Sequence, residues 1–265
     1  MSVKRRLATV LLVVTAVLAV GISAGAARSK MHHARPYHHG GGGLTWQDCG
    51  GGYQCAHLQV PRDYRHPHGA TFNLGIIRLP AQGERLGALF VNFGGPGVPG
   101  VATVMGNGPR YDRLGGGRFD VVSWDPRGTG ESTHVSCFAS TRDQIRFWGH
   151  YAIPVTRSQA APFLRKTTAF AQRCTARSRS LIPHLSTADT ARDLDYLRQL
   201  VGDPQLNYRG ISYGTFIGQT YANLFPDRVR AMVLDGNLNP FPYTQSVPAA
   251  LGSASGTPTW SSASS

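Results

Sequence analysis

The chain has 265 residues, of which 32 are Gly and 17 Pro, with 41% hydrophobic and only 15% charged positions. That balance excludes a highly charged disordered chain and a coiled coil, and four cysteines are too few for a disulfide-built scaffold. The net charge of +13 is partly local: residues 1–36 hold six of the 27 basic residues and no acid, leaving 21 bases against 14 acids in the rest. No basic block interleaved with aromatics occurs, so the surplus reads as a mildly basic surface and no nucleic-acid partner is implied.

In chain order, Lys4, Arg5 and Arg6 precede an apolar run from Leu7 to Ile22, and Ala24-Gly25-Ala26 fits a small-residue cleavage site. This three-part build predicts a signal peptide over residues 1–26 and a secreted product. The apolar run is shorter than the ~20 residues of a spanning helix. A membrane anchor is therefore the lesser reading, and no membrane association is expected after cleavage. Residues 27–43 carry His32, His33, His38 and His39 and then four glycines, a solvated linker in preference to a metal-collecting tract. Export favours disulfides over free thiols: Cys49 with Cys55 across a glycine triplet, and Cys137 with Cys174. The cysteine spacings are not those of a zinc module. No metal or organic cofactor is implied.

From residue 44 to 240 short apolar runs alternate with Gly/Pro turns. Strands are predicted at 71–79, 86–93, 119–124, 206–211 and 229–234. Helices are predicted at 187–201, capped by Ser186 or Thr187 and stopped by Gly202, and at 213–224. Strands alternating with helices imply an α/β fold with a mostly parallel sheet. Residues 137–186 interrupt this rhythm as a helical or irregular insertion, and the Ser-rich, uncharged residues 241–265 are expected to be a disordered tail.

Three motifs carry chemistry. Gly210-Ile211-Ser212-Tyr213-Gly214 matches G-x-S-x-G where a strand meets a helix, the setting of a nucleophile elbow. Ser212 is the candidate nucleophile, lifted to a helix N-terminus whose dipole favours developing negative charge. Asn92-Phe93-Gly94-Gly95-Pro96-Gly97 follows a buried strand and exposes backbone N–H groups; Gly95 and Tyr213 are the candidate oxyanion-hole donors. The same loop spells Gly95-x-Gly97-x-x-Gly100, a dinucleotide fingerprint, but Pro99 sits where helix amides would hold pyrophosphate. In Trp124-Asp125-Pro126-Arg127-Gly128-Thr129-Gly130-Glu131-Ser132, an Asp125–Arg127 ion pair is expected to shape the turn.

Taken together, these motifs resemble the α/β-hydrolase superfamily, and more closely its exported tripeptidyl aminopeptidases and proline-iminopeptidase relatives. The stretch Tyr221-Ala222-Asn223-Leu224-Phe225-Pro226-Asp227-Arg228-Val229 is similar to that group, as is Cys49/Cys55 ahead of Val60-Pro61-Arg62-Asp63-Tyr64. The resemblance implies a serine peptidase acting on peptide substrates and releasing short peptides from free N-termini through an acyl-enzyme. An esterase of the same fold and a non-catalytic exported binding module are the alternatives.

The superfamily's triad runs Ser, then Asp/Glu, then His. After Ser212 there is no His, and the acids are Asp227 and Asp235. Asp235, at a strand end, is the candidate acid, and no base is found; His134 or His184 would serve only by folding over the elbow. The chain is expected to stop after about six of the eight strands of the fold, with the lid and last strands missing. The chain is therefore expected to be truncated and nearly inactive alone, with strand 229–234 as an open sheet edge and a complementing C-terminal half as a partner.

Overall fold

Gly50, Gly51 and Gly52 all have positive φ (87°, 63° and 81°), a conformation glycine adopts without steric cost. They turn the chain between β1 (Gln47–Gly50) and β2 (Tyr53–Pro61). The Cys49–Cys55 disulfide closes this hairpin, with Cα atoms 5.8 Å apart. The computed structural model describes residues 43–240 apart from 108–109, 112–115 and 150–153. The predicted leader, the linker up to residue 42 and the Ser-rich tail lie outside the described residues.

Beyond the hairpin come β3 (Thr71–Leu79), β4 (Gly87–Asn92), α1 (Gly100–Asn107) and β5 (Phe119–Trp124). Helices α2 (Thr141–Trp148) and α3 (Arg157–Arg177) form the insertion. Then follow α4 (Thr187–Leu200), β6 (Leu206–Ile211), α5 (Tyr213–Leu224) and β7 (Val229–Asp235). The sheet has seven strands in the order β1-β2-β3-β5-β4-β6-β7, one more than expected. From β1 to β5 the neighbours are antiparallel; β5-β4-β6-β7 are parallel.

The central strands are apolar because they are covered on both faces: Ala88, Phe90, Val91, Val122, Leu206 and Tyr208 are all buried. β7 lies at the sheet edge, as expected, and its Val233 is 58% exposed. Ser186 caps α4, its hydroxyl accepting from the Asp189 amide at 3.0 Å, and Leu194 and Leu197 turn into the core. α4 is joined to α5 through Asp195, which accepts from Tyr221 Oη at 2.8 Å and pairs with Arg198 and Arg228.

The insertion is helical and is tied at its base by the Cys137–Cys174 disulfide. Its own small core is aromatic, with Phe138 5.3 Å from Phe147 and Trp148 5.1 Å from Phe170 between ring centroids. Among the described residues no helix is long and apolar enough to cross a membrane.

Candidate active site

β6 ends at Ile211 and α5 begins at Tyr213, so the whole reversal falls on Ser212. Its φ of 53° and ψ of −119° make it the one described non-glycine residue with positive φ, a strain of about 1–3 kcal/mol. Main-chain bonds hold it there. The Ser212 amide donates to Asp235 O at 2.8 Å, and its carbonyl accepts from the Thr215 amide at 2.9 Å and the Thr215 hydroxyl at 2.7 Å. The flanking glycines are required by close approach: a Cβ on Gly210 would lie 2.3 Å from Gly214 O, and one on Gly214 2.7 Å from Asn92 O. The Ser212 side chain is exposed at the N-terminus of α5.

The glycine loop after β4 meets this turn backbone to backbone. A Cβ on Gly94 would lie 2.5 Å from Ile211 O, 3.0 Å from the Tyr213 nitrogen and 3.1 Å from Ser212 Cβ. Gly94, Gly95 and Gly97 all have positive φ, and the Gly95–Pro96 bond is cis. Asn92 Oδ1 accepts from the Gly94 amide at 3.0 Å, while the same side chain abuts Gly214. Asn92 thus links the two halves of the site, a part that sequence reasoning did not assign. Among the described residues, no hydrogen bond occupies the amide of Gly95 or Tyr213.

Beside the turn lies a cavity of about 230 Å³, walled by Gly94, Pro96, Pro126, Val135, Leu185, Tyr213 and Ile217, with Arg127 behind. The Tyr213 hydroxyl meets Thr187 Oγ1 at 2.5 Å, at the start of α4.

The expected Asp125–Arg127 pair does not form. Asp125 turns inward, its carboxylate accepting from the amides of Val101 at 2.8 Å and Glu131 at 2.6 Å. Burial raises its pKa, against the pull of those amides. Arg127 instead reaches Asp193 on α4 through Nε (2.5 Å) and Nη2 (2.7 Å). Its other N–H groups go to the carbonyls of Pro61, Arg62 and His184. All five guanidinium donors are therefore used. The reason is geometric: a turn carboxylate is more cheaply satisfied by nearby amides, while the long Arg127 side chain spans to three other segments.

Asp235 offers its carboxylate to Arg209 at 2.9 Å and is half exposed, while its carbonyl receives the Ser212 amide. Of the two histidines considered, His134 is exposed and bridges to Gly128 through its backbone, and His184 gives its carbonyl to Arg127. Neither lines the cavity. No hydrogen bond joins Ser212 Oγ to another described residue. Among the described residues no cluster of His, Cys, Asp or Glu could hold a metal.

A strained serine between strand and helix, set against a glycine loop from the neighbouring strand, defines the nucleophile-elbow architecture. The chain belongs to the alpha/beta hydrolase fold family, whose model matches residues 93–257. It is 39% identical over 191 residues to the serine protease Hip1 of Mycobacterium tuberculosis strain H37Rv, covering 72% of this chain and 37% of that protein. To a tripeptidyl aminopeptidase of Streptomyces lividans it is 38% identical over 212 residues, 75% of this chain and 39% of that one. To a carboxylesterase B of Mycobacterium tuberculosis strain H37Rv it is 39% identical over 194 residues, covering 71% and 36%. The chain thus spans less than two fifths of the length of these relatives.

Proposed function

We propose that this chain supplies the nucleophile and oxyanion hole of an exported serine peptidase that releases tripeptides from free N-termini. The observation that carries the reading is the meeting of Gly94, the residue before Gly95, with the Ser212 turn. Ser212 Oγ attacks the scissile carbonyl, and the amides of Gly95 and Tyr213 hold the oxyanion. An acyl-enzyme forms and water resolves it. The base that takes the Ser212 proton comes from outside the described residues. Residues 1–26 act as a signal peptide, and the two disulfides are in keeping with an oxidising destination.

The test is a fluorophosphonate probe followed by peptide mapping. An oxyanion hole stabilises the charge that develops on the phosphoryl oxygen as the serine attacks, so the label is expected on Ser212 in preference to every other serine. The Ser212→Ala chain is expected to stay unlabelled. A folded sample that takes no label, or takes it without preference, overturns the reading. A second reading, an esterase, is favoured by the carboxylesterase relative. Faster turnover of p-nitrophenyl butyrate than of a tripeptide nitroanilide would select it.

A further inference from the structure

The cavity beside Ser212 carries information about the substrate, an inference that rests on the reading above. Its volume of about 230 Å³ exceeds the ~150 Å³ that accommodates a benzene ring. It falls short of the ~300–1,000 Å³ of pockets for whole drug-sized ligands. The space is of the size of one amino-acid side chain.

The wall is mostly apolar, at Pro96, Val135, Leu185 and Ile217, and the Thr129 and Thr190 hydroxyls on it already donate to Pro126 O and Ser186 O. Its one charged residue is Arg127, and every donor of that guanidinium is taken. Among the described residues no Asp, Glu or His lies on the wall. An incoming carboxylate or ammonium would shed water and meet no free opposite charge there, which disfavours either.

Position decides which side of the scissile bond the cavity serves. It starts at Gly94 and Tyr213, and the Tyr213 amide is one of the two assigned to the carbonyl oxygen. We infer that it receives the uncharged, apolar side chain of the residue contributing the scissile carbonyl, with Val135 and Leu185 as specificity-determining side chains. Both border Gly128: a Cβ there would lie 3.3 Å from Leu185 Cδ2 and 3.4 Å from Val135 Cγ2. The two therefore form one surface, supplied from either end of the insertion.

The test is methyl NMR on the Ser212→Ala chain, titrated with the N-acetyl methylamides of leucine, alanine, lysine and glutamate. The leucine probe is expected to shift the methyls of Val135, Leu185 and Ile217 saturably, at least about tenfold more tightly than either charged probe. Leu185→Phe, which occupies the space, is expected to move the preference to the alanine probe. Equal binding of the charged probes, or no shift of these methyls with any probe, overturns the inference, and unmodified-cavity selectivity decides it if the Leu185 variant fails to fold. Because Ser212 is absent from this sample, the outcome is independent of fluorophosphonate labelling. A labelled Ser212 without leucine selectivity sinks only the subsite; leucine selectivity with an unlabelled Ser212 sinks only the reaction.

Discussion

Replacing Arg127 by Met removes a cation that is 0% exposed and faces an Asp193 side chain 1% exposed. The ion pair is lost, and the carbonyls of Pro61, Arg62 and His184 lose their donors. Asp193 keeps only the Tyr64 hydroxyl, at 2.7 Å. Breaking a buried pair from one side costs about 3–5 kcal/mol, a large part of the ~5–15 kcal/mol that stabilises a domain. At about 2–4 °C per kcal/mol for a domain of this size, Tm should fall by roughly 6–20 °C. Removing both charges with Arg127→Met/Asp193→Leu should cost less than the single change, because no lone carboxylate remains.

The pH dependence has a definite sign. Burial pushes the Asp193 carboxyl up, and Arg127 pulls it back down. Without Arg127 the folded-state pKa rises further above the unfolded value, so the folded variant binds its proton more readily than the unfolded chain. The stability lost is therefore smallest below about pH 4, the unfolded range of Asp, and grows as pH rises through the folded-state value. Urea unfolding of wild type and variants at pH 4 and pH 8 measures this. A single variant within about 1 kcal/mol of wild type, or a double variant no more stable than the single, would show that the pair does not anchor these segments.

The backbone strain at Ser212 predicts that Ser212→Gly is more stable than Ser212→Ala by about 1 kcal/mol, read by urea unfolding; equal stabilities would mean the turn is unstrained. Gly214→Ala forces a Cβ to 2.7 Å from Asn92 O and should destabilise by about 1–3 kcal/mol and lower Ser212 labelling, because the glycine loop must move away; unchanged labelling speaks against that coupling. The disulfides should differ in weight. Cys137 and Cys174 are 37 residues apart and Cys49 and Cys55 only six, which in the loop-entropy model gives about 4 and about 2 kcal/mol. Paired Cys→Ser variants compared by thermal unfolding check the order, and faster proteolysis between 140 and 176 should accompany loss of the longer link.

Elements with their own local punctuation were legible in the sequence. α4 is bounded by Ser186 and Gly202, and the β6–Ser212–α5 unit is contiguous, so strand, turn and helix announce each other. β1 and β2 lack such punctuation, although β2 alternates cleanly, with Ala56, Leu58 and Val60 buried and His57 and Gln59 exposed. The glycine triplet before it resembles a linker in composition, and only the sign of its φ angles makes it a hairpin turn. The partner of Arg127 was not legible because Asp193 lies 66 residues away on a helix, and Asp125, two residues from it, has the complementary charge. Sequence proximity suggested a pair that the amides of Val101 and Glu131 had already made unnecessary.

Presentation of the Ser212 hydroxyl is also physically separable from its activation. Among the described residues, the hydrogen bonds that fix the turn are made by backbone atoms or by Asn92, Tyr208 and Thr215, and none needs a histidine. The strain at Ser212 is therefore held by the sheet and by α5, and under the proposed function the geometry of attack is set before a base arrives. On the proposed reading, a base approaching from the open side of the exposed serine need supply only proton transfer, and the amides of Gly95 and Tyr213 are left without another hydrogen-bond partner among the described residues. It follows that altering Asn92 or Gly214 should damage labelling through geometry, with little change in its pH dependence. Supplying a base should instead introduce a titration that the described residues alone do not impose.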